Sequence, residues 1–176
     1  RLNSQLLING NWNSDGSFNR KGMKVYGNAQ ILNGELIDLE LMDNFSSYVN
    51  AADLKHIKFG SLDNYFEIKN EVIHIPAMFV QSNALNLTLS GEHAFNNAID
   101  YNIKVNAGQV LTNKLKRHNP RLAPKPARKK GFFNLYYAVK GTTDNPTYKT
   151  AKRQVKSDLE SSEYQRAAIK QKLDQA

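Results

Sequence analysis

No cysteine occurs in the 176 residues, which excludes disulfide frameworks, thiol nucleophiles and thiolate metal sites together. Long apolar runs are missing too. The richest, Phe132 to Val139, is interrupted by Asn134 and is far shorter than the about 18 residues that a membrane helix needs. Catalytic signatures are equally scarce. There is no phosphate-binding glycine loop, no GxGxxG, no GxSxG and no HExxH. The four histidines, His56, His74, His93 and His118, lack metal-ligand spacing and read as surface residues. These absences predict a protein that is not an enzyme and that carries no metal and no cofactor. The chain starts on Arg1, shows no signal peptide, and is already strand-like at Leu6-Leu7-Ile8. It is expected to be a segment of a longer chain, with any membrane anchor or export signal upstream.

What is present begins with charge, 24 Lys and Arg against 16 Asp and Glu. The excess has one address. Lys114, Lys116, Arg117, Arg121, Lys125, Arg128, Lys129 and Lys130 lie in a stretch with three prolines and no acidic residue; without those eight the counts are 16 and 16. A Pro-containing basic run of this kind predicts an extended loop over 114–130 that touches anionic head groups or a partner, or that is simply solvated. Nucleic acid is the weaker partner. Phe132, Phe133, Tyr136 and Tyr137 adjoin the loop as stacking aromatics would, but Phe133, Leu135, Tyr137 and Val139 form one apolar row rather than an exposed platform.

From Ser4 to Val139 the dominant period is two, that of half-buried strands. Leu85, Leu87 and Leu89 alternate with polar neighbours, as do Ile99, Tyr101, Ile103 and Val105, and then Phe133, Leu135, Tyr137 and Val139. Short hairpins are predicted at Lys69-Asn70-Glu71, Ser82-Asn83 and Phe95-Asn96-Asn97, and a turn at Asn33-Gly34. Ser4–Trp12 and Met23–Leu32 add two strands ahead of this meander. Between Asp38 and Val49 the period becomes helical, with Leu39, Met42, Phe45 and Val49 on one side and Asp38 placed as cap. A weaker helical pattern runs from Gly108 to Arg117. Ala151 to Ala176 has neither Gly nor Pro and predicts a terminal helix. Its apolar positions, Val155, Leu159, Ile169 and Leu173, are so sparse that a solvent-standing helix is the default expectation.

The fold class that follows is mainly β: a curved antiparallel sheet, groove or half-barrel, with one helix packed at an end and a C-terminal helical tail. The β domain spans 1–149, with its helix at 38–50, and the tail spans 150–176. A helix of about 12 residues is roughly 18 Å long and cannot cover the apolar face of so many strands. That face must close on itself, pack on other protein, or line a trough. A trough suits acyl chains, because each methylene removed from water contributes about 0.8 kcal/mol without directional contacts. Ordinary core is the simpler explanation of the same alternation.

The order and wording of several stretches resemble the C-terminal region of AsmA-like proteins, bacterial envelope proteins related to the TamB group and to bridge-like lipid transfer proteins. The matching stretches are Gly27-Asn28-Ala29-Gln30-Ile31-Leu32-Asn33-Gly34-Glu35-Leu36, Leu54-Lys55-His56-Ile57-Lys58-Phe59 and Phe66-Glu67-Ile68-Lys69-Asn70. They continue with Ile75-Pro76, Asn83 to Gly91, Ile99 to Val105, and the close Val139-Lys140-Gly141-Thr142-Thr143-Asp144-Asn145-Pro146. The resemblance implies a β groove tethered to the inner membrane, reaching through the periplasm and carrying phospholipid towards the outer membrane. It offers no catalytic residue, only an apolar lining. The lining positions expected to contact lipid are Leu85, Leu87, Leu89, Ile99, Tyr101, Ile103, Val105, Phe133, Leu135, Tyr137 and Val139. Envelope proteins are the other expected partners. The alternative function is a structural or interaction module in an envelope complex, without lipid conduction.

Overall fold

The computed structural model describes residues 1–37, 55–106 and 134–175. Eight strands form one sheet in sequence order, every neighbour antiparallel. They are β1 (Leu2–Asn9), β2 (Lys24–Ile37), β3 (His56–Lys69), β4 (Val72–Gln81), β5 (Asn86–Ala94), β6 (Ala98–Asn106), β7 (Asn134–Thr142) and β8 (Pro146–Thr150). Among the described residues the sheet does not close, and β1 and β8 are its outermost strands. One helix follows, α1 (Lys152–Asp174). The expected helix at 38–50, the weaker one at 108–117, the basic loop 114–130 and Phe133 lie outside the described residues.

Turn chemistry sets the meander. The β3–β4 turn is two residues long, with Asn70 and Glu71 both at positive φ, the backbone that matches the twist of paired strands. Phe95-Asn96-Asn97 closes β5 onto β6, with Asn97 left-handed and its amide bonded to the Ala94 carbonyl at 2.9 Å. At the β4–β5 turn, Ser82 Oγ donates to the Leu85 carbonyl and accepts from its amide. Asn83 meanwhile ties this turn to the start of β3, accepting from Lys58 N–H at 2.7 Å and donating to the His56 carbonyl.

The turn expected at Asn33-Gly34 is not one. β2 runs straight through it, pairing Leu32 with Ser61 and Gly34 with Phe59. Asn33 takes a φ of 53° within the strand, which Asn tolerates. Gly34 lies under the Phe59 ring, where a Cβ would clash. The glycine signal therefore marks a close ring approach rather than a reversal.

The default expectation for the terminal helix is also overturned. At 23 residues α1 is about 35 Å long, while the six steps from β1 to β7 span about 29 Å. The helix lies across the sheet and touches every strand from β1 to β7. Val155, Leu159, Ser162, Ile169 and Leu173 are its buried residues, a single stripe at helical spacing. Val155 and Leu159 pack with Tyr136 and Ala138 of β7. Nothing at its start would hold the helix alone, since Ala151 makes no side-chain cap and the first turn has no acidic residue. Docking, not propensity, holds it.

A polar seam fixes where it docks. β4 bulges between Ile75 and Met78, where Pro76 supplies no N–H, and β3–β4 pairing lapses between His74 and the isolated Phe59–Ser82 bridge. The backbone groups freed there still need partners. Asn64 Nδ2 donates to the Pro76 carbonyl at 2.8 Å. The Ala77 N–H donates to Ser162 Oγ at 2.9 Å, and Arg166 reaches the Ala77 carbonyl at 3.5 Å with its guanidinium over the Tyr65 ring. A serine and an arginine on α1 thus complete the interrupted ladder.

Candidate functional site

The β5–β7 rows predicted to contact lipid come together on the sheet face opposite α1. Register places Leu87 beside Val105, Leu89 beside Ile103, and Ile103 in turn beside Tyr137. Leu85, Leu87, Ile99, Tyr101, Ile103, Val105 and Val139 form one buried cluster with Ile57, Val80 and Ala84. Leu89, Leu135 and Tyr137 pack against it and are half-buried. These side chains are filled space. Of the expected contacts, only the three half-buried ones have appreciable surface, and Phe133 and the eight basic residues from Lys114 to Lys130 are outside the described residues.

One polar pair sits at the margin of this cluster. His93 Nδ1 and the Tyr101 hydroxyl share a hydrogen bond of 2.8 Å, and burial holds the Tyr101 phenol above its ordinary pKa. Because the folded value exceeds the unfolded one, this contribution is complete below the ordinary phenol range and is lost as pH rises through the folded value. Stability should therefore fall above about pH 10. Urea midpoints across pH 8–12 would show it, and Tyr101→Phe should flatten the curve.

Three further side-chain pairs link neighbouring strands. His74 meets Glu92 at 3.1 Å, His56 meets Glu35 at 3.0 Å, and Lys140 meets Asp100 at 2.7 Å. The Asp100 hydrogen bond raises the Lys140 pKa, while Ser17 N–H and O–H lower that of Asp15. His74 and His93 sit on neighbouring strands but on opposite faces, since Ile73 is the partner of His93 and Glu92 that of His74. Among the described residues no three His, Asp or Glu side chains group as metal ligands, and no helix is long and apolar enough to cross a membrane. Two shallow clefts flank α1. One, of about 280 Å³, is polar, with His74, Glu92, Asp100 and Asp158 in its wall; the other, of about 320 Å³, mixes Phe79, Tyr136 and Leu159 with Lys104, Lys156 and Arg166.

The open apolar surface lies elsewhere. Directly paired residues share a face, so a row crosses the sheet from Ile99 through His93, Ile73, Ile68 and Val25 to Ile8. It is buried at Ile99 and emerges at β1, where Leu2, Leu6 and Ile8 are 66%, 51% and 59% exposed. Ser4 is the only polar residue on that face of β1, and no residue from Leu2 to Asn9 is charged. Trp12, 71% exposed, lies beyond the end of β1 and meets Phe18 edge to face at 5.5 Å. Sequence reading passed over these residues because Leu7 interrupts the alternation. Leu7 is half-buried on the other face, and the even positions Leu2, Leu6 and Ile8 were the signal.

Fold and surface define a class: an open, antiparallel β sheet whose apolar face is buried at β5–β7 and exposed at β1. Compared with protein-family models, with curated proteins and with solved structures, the chain matches none.

Proposed function

We propose that the chain is the C-terminal part of a bridge-like, AsmA-like lipid-transfer protein of the bacterial envelope, working in the periplasm between inner and outer membranes. In this reading it is no enzyme. The observation that carries it is the exposed, uncharged strip Leu2, Leu6 and Ile8 on the outermost described strand, on the same sheet face as the apolar cluster. From Leu2 to Ile8 the strand extends about 20 Å, more than the roughly 15 Å depth of one bilayer leaflet, so one acyl chain can lie along it. Tethering to the inner membrane follows from the family resemblance. The contact residues proposed here move from β5–β7 to β1, because most of the β5–β7 side chains are buried and have no surface to give a ligand.

A second reading is an interaction module in an envelope complex, favoured by the closed packing of the β5–β7 cluster. Native mass spectrometry of gently purified protein, with solvent extraction in parallel, separates the two. Bound phospholipid is expected, and Leu6→Asp with Ile8→Asp should lower its occupancy at least fivefold without altering the circular dichroism. A folded protein that never retains lipid would end the lipid reading.

A further inference from the structure

We propose that the polar cleft between α1 and strands β4–β6 binds a small ammonium-bearing polyol, the chemistry of an amino sugar. Register builds one wall of it. Directly paired residues share a face, so His74, Glu92, Asp100 and Lys140 form a row across β4 to β7. Ser90 and Asn102, two positions along β5 and β6, form the next row on that face. Gln154, Asp158, Ser161 and Gln165, at helical spacing on α1, supply the other wall.

Charge in the cleft is uneven. Glu92, Asp100 and Asp158 put three carboxylates around about 280 Å³ of space, and Lys140, bonded to Asp100 at 2.7 Å, is the cation that meets them. His74 Nδ1 donates to Glu92 Oε1 at 3.1 Å, which leaves the second oxygen open. Asp158 makes no ion pair among the described residues. In the wall with these carboxylates stands Asn102, which is 9% exposed and whose amide oxygen is buried without a hydrogen-bond partner. Buried acceptors are normally paired. A donor on a ligand in the cleft would satisfy this one, and the carboxylates beside it select a donor that carries positive charge.

The lining names the ligand. No three His, Asp or Glu side chains among the described residues group as metal ligands, so the acceptors fit a molecule with several donors along its length better than a single ion. Among the same residues Ile75 is the one apolar side chain in the wall, against serine, asparagine and glutamine on both sides, which favours hydroxyls over an alkyl chain. The space equals that of about nine waters at roughly 30 Å³ each, enough for one sugar ring. The cleft is built on strands that each have both neighbours in the sheet. It also lies on the opposite face from Leu2, Leu6 and Ile8, so this proposal and the lipid reading can fail separately.

Titrating the whole chain with protonated glucosamine, followed by amide NMR, tests the proposal. The amides of Gly91, Glu92, Asn102 and Asp158 are expected to shift saturably. Glucose and N-acetylglucosamine, which lack the cation, should bind at least tenfold more weakly, and Asp158→Asn should weaken glucosamine at least fivefold. Asn102→Leu should weaken it as much, yet its urea midpoint should equal or exceed that of wild type, because the change removes an acceptor that has no partner without ligand. Should Asn102→Leu not fold, Asp158→Asn decides the matter alone. Absence of saturable shifts overturns the proposal. So does glucose binding as tightly as glucosamine, calcium alone reproducing the same shifts, or full affinity in Asp158→Asn.

Discussion

Replacing Ile103 by alanine should lower stability by about 2–5 kcal/mol, the range for a large side chain cut from a packed interior. Ile103 has no exposed surface. It pairs with Leu89 on one side and Tyr137 on the other and belongs to the main apolar cluster, so truncation leaves a cavity rather than a surface dent. Leu87→Asp should act more severely, since Leu87 is buried in the same cluster and a carboxylate there would lose its hydration without a partner. Leu6→Ala, on the exposed strip, should stay within about 0.5 kcal/mol of wild type. Urea denaturation of the three variants tests the division of one apolar face into core and open surface. Equal losses at residues 6 and 103 would contradict it.

Removing the Ser162 hydroxyl should cost about 1–3 kcal/mol, the penalty for an unsatisfied donor in a poorly hydrated site. Ser162→Ala changes little volume, but it leaves the Ala77 N–H without the acceptor it has at 2.9 Å. Pro76 and the bulge prevent β4 from repairing the gap with a regular ladder bond. The loss should appear in the urea midpoint and as faster hydrogen exchange at the Ala77 amide. An unchanged exchange rate there would mean that the Ser162 hydroxyl does not protect the Ala77 amide and that α1 docks without it.

Much of the architecture is legible in the residues. Period-two alternation at Leu85–Leu89, Ile99–Val105 and Leu135–Val139 identifies β5, β6 and β7, and Asn-containing turns place the hairpins from β3 to β6. These signals are local: alternation needs only neighbouring side chains, and a hairpin turn only two or three residues of backbone preference. The terminal helix is legible for the same reason, because a stretch without Gly or Pro favours helix wherever it lies.

What failed depends on partners distant in sequence. Gly34 looks like a turn until the Phe59 ring covers it. Ser162 looks like a solvent residue until the Ala77 amide, 85 positions earlier, donates to it. Leu2, Leu6 and Ile8 look weaker than the β5–β7 rows as an apolar face, yet theirs is the surface left open. Alternation by itself determined which residues share a face. Only the tertiary structure decided whether that face is covered, because burial depends on what packs above a side chain, and neither its period nor its neighbours in sequence encode that.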